Sequence, residues 1–236
     1  MDRPLRPLIN KTSTLPRPNL YAQALENEFR SKAFSEERAP DNKGKWRRLF
    51  NVSDSVPLDL EIGTGNGLFF SHHAAQNPQR TLVGLELKYK PLIQSIRRAQ
   101  NAGCQNAAIA RFHAFNLDQL FEVGEIHDVY LHFPDPWTSP KKPRNRLTNS
   151  WLLNLIYDLQ TPGSFLNFKT DSLDLFKWSL EEIQKTSYQI EFQTFDLHHS
   201  EFREKNFQTG FEKIFLNQGI KINFVRLKKP ESPSHQ

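Results

Sequence analysis

Four carboxylates stand where this chain can do chemistry. Glu61 lies in the apolar run Leu58-Asp59-Leu60-Glu61-Ile62, just before Gly63-Thr64-Gly65-Asn66-Gly67, and Glu86 closes Leu82-Val83-Gly84-Leu85-Glu86. Asp135 sits inside Phe133-Pro134-Asp135-Pro136-Trp137, and Asp171 ends Phe168-Lys169-Thr170-Asp171. Gly63 and Gly65 let the backbone close on a ligand, because glycine has no Cβ and accepts positive φ. A helix behind them offers free N–H groups and the positive end of its dipole. A G-x-G-x-x-G dinucleotide turn needs its third glycine at the sixth position. Here that position is Leu68, and the third glycine is Gly67. An acid such as Glu61 would repel a pyrophosphate and suits a cationic group. Glu86 follows the turn by roughly 20 residues, the distance at which a carboxylate takes ribose hydroxyls. The prolines around Asp135 fix their own φ and restrain the residue before each. A carboxylate and the Trp137 indole are thereby held still.

These residues need a frame that brings strand ends together. Apolar runs over 58–62, 81–87, 107–112, 128–133 and 164–169 predict strands. Helices are predicted over 68–75, 91–102, 117–121, 151–159 and 173–185, and the second carries Leu92, Ile93, Ile96 and Ala99 on one face. Strands alternating with helices require a parallel sheet covered on both faces. Two further strands, 188–197 and 220–227, follow without an obvious long helix between them and imply an antiparallel end. The fold class is α/β: a Rossmann-like, mostly parallel sheet with helices on both faces. In such sheets ligands sit at the carboxyl ends of the strands around the switch point. Glu61, Glu86, Asp135 and Asp171 fall on successive strand ends, which scattered surface acids would not do. The strand over 107–112 leads into His113-Ala114-Phe115-Asn116, where Asn116 can meet an adenine amine and Phe115 can stack.

With 236 residues the chain can bury one good core, with room for an arm. A hydrophobic fraction of 37% and a mean hydropathy of -0.63 fit a soluble protein. No run approaches the ~18 apolar residues of a membrane span. Cys104 is the only cysteine, which excludes an internal disulfide and a cysteine zinc site, and fits a reducing, cytoplasmic setting. No metal is expected. Lys and Arg number 31 against 26 acids, a net +5 that permits a polyanionic partner. Residues 1–18 hold Pro4, Pro7, Pro16 and Pro18 among basic residues and no apolar h-region, so a flexible basic arm is expected rather than a secretory signal. That arm is either decoration or a contact for nucleic acid or cofactor. A helix is expected over 20–34. The expected division is an arm over 1–18, one domain over 19–229 and a flexible tail over 230–236. After Trp137 comes Lys141-Lys142-Pro143-Arg144-Asn145-Arg146. A charge run is usually a solvated face, but one that follows the Asp135 loop suits phosphate contacts.

E-x-G-x-G-x-G after an apolar strand resembles the first motif of the S-adenosylmethionine (SAM)-dependent methyltransferases. Joined to Pro134-Asp135-Pro136-Trp137, the basic run, Lys169-Thr170-Asp171 and Thr209-Gly210-Phe211-Glu212, it makes the chain resemble the bacterial-type tRNA (guanine-N7)-methyltransferases over roughly residues 43–227. The last tetrad matches that family's T-x-[YF]-E motif. The resemblance implies a class I methyltransferase fold with a seven-stranded sheet, SAM as cofactor and tRNA as partner. It implies that SAM is held by Glu61, Glu86 and Asp135 with the Gly63–Gly65 turn, and that Asp135 is catalytic. It also implies substrate contacts from the lysines after Trp137, from Asp171, and from Thr209, Phe211 and Glu212. The chain departs from the family twice. Spacing puts His113 where the family often carries an acid or amide for the adenine, and Asn116 lies three residues on, so either can serve. Thr138 and Ser139 intervene after Trp137, which leaves the substrate lysine as Lys141 or Lys142.

Guanine N7 carries a lone pair and no proton, so the implied reaction needs orientation and no general base. Asp135 and Asp171 can accept hydrogen bonds from guanine N1–H and its amine, which adenine does not match. The base must be exposed or flipped to be reached. The expected product is 7-methylguanosine in tRNA, at a variable-loop guanine by implication of the family. One alternative is an RNA amino-group methyltransferase, whose D/N-P-P-Y/F/W loop has a second consecutive proline that this chain lacks. Another is a tRNA-binding protein with a degenerate SAM pocket, against which intact Glu61 and Glu86 weigh. Monomer and homodimer both stay open.

Overall fold

A computed structural model of the protein describes residues 11–138 and 143–231. The expected substrate lysines Lys141 and Lys142, most of the arm and most of the tail lie outside the described residues. The strands are β1 (Ala33–Phe34), β2 (Leu58–Ile62), β3 (Thr81–Leu85), β4 (Ala107–Ala110), β5 (Val129–His132), β6 (Phe165–Thr170), β7 (Gln189–Thr194) and β8 (Asn223–Lys228). The helices are α1 (Leu20–Glu26), α2 (Leu68–Gln76), α3 (Tyr89–Asn101), α4 (Ser150–Leu159), α5 (Leu173–Ile183) and α6 (Gly210–Asn217). The sheet order is β1-β4-β3-β2-β5-β6-β8-β7. β1 to β6 pair in parallel, and β8 runs antiparallel between β6 and β7. The chain steps outward from β2 to β4 and then returns to β5 on the other side of β2. The switch point therefore lies between β2 and β5.

The sheet has eight strands where seven were expected, and β1 is the addition. The spacing predicts a helix over 20–34, but α1 stops at Glu26 and the chain then extends along the sheet edge. Strand β4 explains this, since an edge leaves unpaired backbone donors and acceptors. Ile109 N–H donates to Lys32 C=O at 2.8 Å, and Arg111 N–H donates to Phe34 C=O at 2.8 Å. The link between β7 and β8 also differs, because it contains α6, capped by Thr209.

Within the described part of the expected arm, Thr12 is an anchored point, while most of its neighbours up to residue 18 are exposed. Thr12 is buried, its Oγ1 donates to Glu36 Oε2 at 2.9 Å, and the same oxygen lies 2.8 Å from Tyr89 Oη. Glu36 is itself buried against Arg111 at 2.7 Å. A buried ion pair needs its remaining lone pairs satisfied, and Thr12 does this for Glu36.

Two apolar layers cover the sheet. Leu25, Phe70, Leu92, Ile93 and Ile96 of α1–α3 pack on one face, and Leu152, Ile156, Leu175 and Phe176 of α4 and α5 on the other. Side chains alternate across a strand, so Leu58, Leu60 and Ile62 join the α4–α5 layer while Asp59 and Glu61 take the α1–α3 side. A strand buried on both faces is expected to be apolar throughout. These two acids are the exceptions. Among the described residues no helix is long and apolar enough to cross a membrane.

Candidate active site

Asp59 and Glu61 share a strand face and have opposite surroundings. Asp59 is fully enclosed and accepts from Arg80 Nε at 2.7 Å and from the Asp128 N–H at 3.1 Å, with His73 Nε2 at 2.8 Å. Desolvation pushes its pKa up, but the Arg80 and His73 hydrogen bonds and charges outweigh it and hold the carboxyl below the usual range. Asp59, His127 and Asp128 have the spacing of a metal-ligand cluster, yet the Arg80 guanidinium reaches all three. Glu61 is equally buried, but its Oε2 has no partner. Desolvation raises the Glu61 carboxyl well above its ordinary value, the Lys169 ammonium pulls it back, and the Glu86 charge pushes it further up. An unsatisfied buried oxygen costs about 1–3 kcal/mol. Glu61 lines a cavity of about 720 Å³ at the carboxyl ends of β2, β3, β4 and β5, a volume that suits a small ligand.

The glycine turn forms the cavity wall next to Glu61. Gly63 and Gly65 have φ of 81° and 54°, with open space where a Cβ would project. They are needed for the course of the backbone. Gly67 is needed for packing, because a Cβ there would come within 2.4 Å of Ser95 Cα on α3. Ser95 Oγ donates to Gly65 C=O at 3.0 Å and lies 3.0 Å from Thr64 Oγ1. Ser95 thus staples the turn, and nothing about its neighbours in the chain singles it out. Glu86 Oε2 accepts from the Gly65 N–H at 3.1 Å and Oε1 from the Lys88 N–H at 2.9 Å. Its carboxylate is thereby fixed on the wall of the same cavity.

At the end of β4 the cavity meets His113, together with Phe112 and Ala114. His113 Nδ1 accepts from the Phe115 N–H at 3.2 Å and caps the 3₁₀ turn Ala114–Gln119. Asn116 sits inside that turn and is not part of the wall. Phe115 is fully buried against Trp151, with ring centroids 6.0 Å apart. It belongs to the core and is no stacking surface. His132, at the end of β5, also lines the cavity. Burial, the Lys169 charge and His73 hold its pKa well below the ordinary value, so this ring is neutral at pH 7.

Pro134, Asp135 and Trp137 form the next wall. The loop is bracketed by Phe133 and Trp137 in the left-handed region, with φ of 50° and 43°. Such backbone costs of order 1 kcal/mol per residue and persists only when its surroundings impose it. The Phe133 N–H donates to Lys169 C=O at 2.8 Å. Arg146 Nε donates to Pro136 C=O at 3.0 Å and Nη2 to Trp137 C=O at 3.4 Å, with the guanidinium 4.6 Å from the Trp178 ring. The basic run was expected to face phosphates. Arg146 has a further role that the run did not announce, because it gives two of its donors to the Asp135 loop. Its neighbours Asn145 and Leu147 line the cavity.

The last wall is Thr209, Gly210, Phe211 and Ile214. Thr209 caps α6 by accepting the Glu212 N–H at 3.2 Å. Glu212 is fully buried: Oε2 accepts from Lys169 Nζ at 2.6 Å, and Oε1 from Asn206 Nδ2 at 2.6 Å, with His198 Nε2 at 2.7 Å. It supports the wall from behind and does not line it. Phe211 and Ile214 stay 61% and 52% exposed at the mouth, where large apolar side chains need a partner. Glu61, Glu86 and Asp135 thus meet in one cavity, and Asp171 does not. β6 ends at Thr170, and the chain turns through Asp171 into Ser172, which caps α5 by accepting the Leu175 N–H.

Comparison with known proteins identifies the family. The family model described as "Putative methyltransferase" matches residues 55–225. The chain belongs to this methyltransferase family. The tRNA (guanine-N(7)-)-methyltransferase of Bdellovibrio bacteriovorus is 63% identical to this member over 87% of its chain and 99% of the relative's. The protein of the same name from Bacillus subtilis is 34% identical over 77% and 84% of the two chains. Among solved structures, the 16S rRNA methyltransferase KamB matches with a TM-score of 0.57 at 14% identity, covering 80% of this chain and 94% of that one. The shared architecture is the Rossmann-like class I methyltransferase fold, and this methyltransferase carries β1 as an extra strand on its edge.

Proposed function

We propose that this enzyme transfers the methyl group of SAM to N7 of a guanine in tRNA, in the variable loop, forming 7-methylguanosine. The observation that carries the reading is the unpartnered Glu61 oxygen on a cavity that the Asp135 loop also lines. The similarity to the Bdellovibrio bacteriovorus protein supports the choice of substrate. The residues fit the cofactor. Glu61 offers a buried acceptor for an ammonium group, Glu86 a fixed carboxylate for ribose hydroxyls, and His113 with Phe112 and Ala114 an apolar slot for adenine. The Gly63–Gly65 turn leaves room for the backbone of the ligand. Bound there, SAM supplies an electrophilic methyl group on a sulfonium.

The chain's own residues orient the base. Guanine N7 has a free lone pair, so no proton has to be removed before attack, and catalysis is chiefly alignment. Asp135, held by the strained loop, accepts from guanine N1–H and its amine. Methylation places positive charge on the guanine ring, which makes N1–H a stronger donor. The bond to Asp135 therefore tightens toward the transition state, the differential stabilisation that raises a rate. Phe211, Ile214 and Trp137 present apolar surface on which the extruded base and its neighbour can stack. Lys141 or Lys142 is assigned to phosphate, Thr209 to the substrate at the cavity wall, and Asp171, outside that wall, to a neighbouring base edge. Glu212 serves the substrate through the wall it supports.

The test is to methylate unmodified tRNA with labelled SAM and identify the nucleoside. 7-Methylguanosine in the variable loop is expected. An N-methylated exocyclic amine would favour the amino-group enzyme, and tight tRNA binding without any methyl incorporation would favour a binding protein.

A further inference from the structure

Lys169 joins two walls of the cavity, one through its ammonium and the other through its backbone carbonyl. It lies on β6, 2% exposed, with Nζ donating to Asn206 Oδ1 at 2.9 Å, Phe207 C=O at 2.8 Å and Glu212 Oε2 at 2.6 Å. All three donors of the ammonium are used, and their acceptors bracket Thr209, Gly210 and Phe211, with Asn206 and Phe207 before them in the chain and Glu212 after. The Lys169 C=O accepts the Phe133 N–H, which starts the Asp135 loop, and Nζ lies 5.7 Å from the Phe133 ring centroid. The same segment touches α2, the helix behind the glycine turn: Phe207 stacks on His72 at 4.1 Å, and a Cβ on Gly210 would meet Leu68 at 3.1 Å.

We infer that Lys169 is a positioning residue for methyl transfer, fixing the Thr209–Phe211 wall relative to the Asp135 loop so that the base is held in line with the methyl donor. The inference rests on the proposed function. A compact ammonium with three diverging donors suits this task, because its acceptors come from three directions. A guanidinium presents a planar fork and cannot reproduce that geometry. The ionic pair with Glu212 is not itself the point, since a buried pair can often be replaced by uncharged residues of similar size without loss of stability.

Two variants separate positioning from folding. Lys169→Arg keeps the charge in the buried network. Lys169→Met with Glu212→Gln removes the charge of both partners and leaves no buried ion unpaired. Each is measured for melting temperature, SAM affinity by calorimetry, and single-turnover methyl incorporation at saturating SAM and tRNA. Lys169→Arg, which keeps the charge facing Glu61, should bind SAM within about threefold of wild type, and both variants should lose roughly 10- to 100-fold in single-turnover rate at saturating SAM, the scale of an ångström of misplacement. In the double variant the rate should stay low even where the melting temperature returns to that of wild type. A wild-type rate in Lys169→Arg, or a rate that follows melting temperature across the set, would overturn the inference. Methyl incorporation is counted whatever nucleoside carries it. A wrong nucleoside in wild type therefore defeats the functional reading, while the rate ratio still decides the role of Lys169.

Discussion

The two ends of β2 are built by opposite rules. At the amino end, Asp59 is buried with Arg80, His73 and the Asp128 N–H favouring its charge. At the carboxyl end, Glu61 is buried with an oxygen that nothing in the described structure satisfies. The first end is complete, and the second is complete only with a ligand. The titration directions record the difference. Asp59 is held below its ordinary value and stabilises the fold above the unfolded aspartate range, a contribution lost as pH falls through its lowered folded value. Glu61 is raised, so the folded chain holds a proton that the unfolded chain has released. Its contribution is present below the unfolded glutamate value near ~4.3 and is lost as pH rises toward the raised folded value. One strand carries a structural acid and a poised one, two residues apart.

The contrast breaks most visibly at the structural end. Asp59→Asn removes one side of a buried network and leaves Arg80 and His73 facing an amide, which should cost about 3 kcal/mol or more. For a chain of this size each kcal/mol moves the melting temperature by ~2–4 °C, so a fall near ~10 °C is expected. SAM affinity of the folded fraction should stay within about twofold, and the stability gap to wild type should close on acidification. Equal losses of stability and cofactor binding would erase the distinction between the two ends.

Arg146 tests whether the Asp135 loop is held from outside the cofactor half. Arg146→Ala removes two donors to the loop carbonyls and should slow single-turnover transfer by roughly 10-fold, with SAM affinity unchanged. A variant that lost tRNA affinity in proportion to salt, at an unchanged saturated rate, would return Arg146 to the role of a phosphate contact. The smallest expected effect is at Thr12. Thr12→Val gives up its bonds to Glu36 and Tyr89 and should cost about 1 kcal/mol. No change in melting temperature would mean that Thr12 does not anchor the chain before α1.

The glycine-turn side of the cavity was the legible side. Glu61, Gly63, Gly65 and Glu86 announce themselves because strand ends and a glycine turn are local, and the parallel order follows from alternation. What could not be read was made by contacts between distant residues. Lys169 meets Glu212 across 43 positions, Thr12 meets Tyr89 across 77, and Ser95 reaches the turn across 30. Glu212 carries a sequence signal, yet the chain alone does not say whether its carboxylate faces ligand or core. Arg146 looks like any other member of a basic run until its partners are seen. β1 was missed because two residues of extended chain have no periodicity, and the need they fill belongs to β4.

The most direct test of the poised end is Glu61→Gln, followed by thermal melting at pH 8 with and without SAM. Glutamine keeps the shape and removes the charge that the fold disfavours. The ligand-free variant should melt a few degrees above wild type, and this gain should shrink toward pH 4. SAM should raise the melting temperature of wild type and leave that of the variant nearly unmoved, because a charged hydrogen bond worth ~1.5–3 kcal/mol has gone. A ligand-free variant that melts below wild type, or one that SAM stabilises as strongly as wild type, would contradict the account.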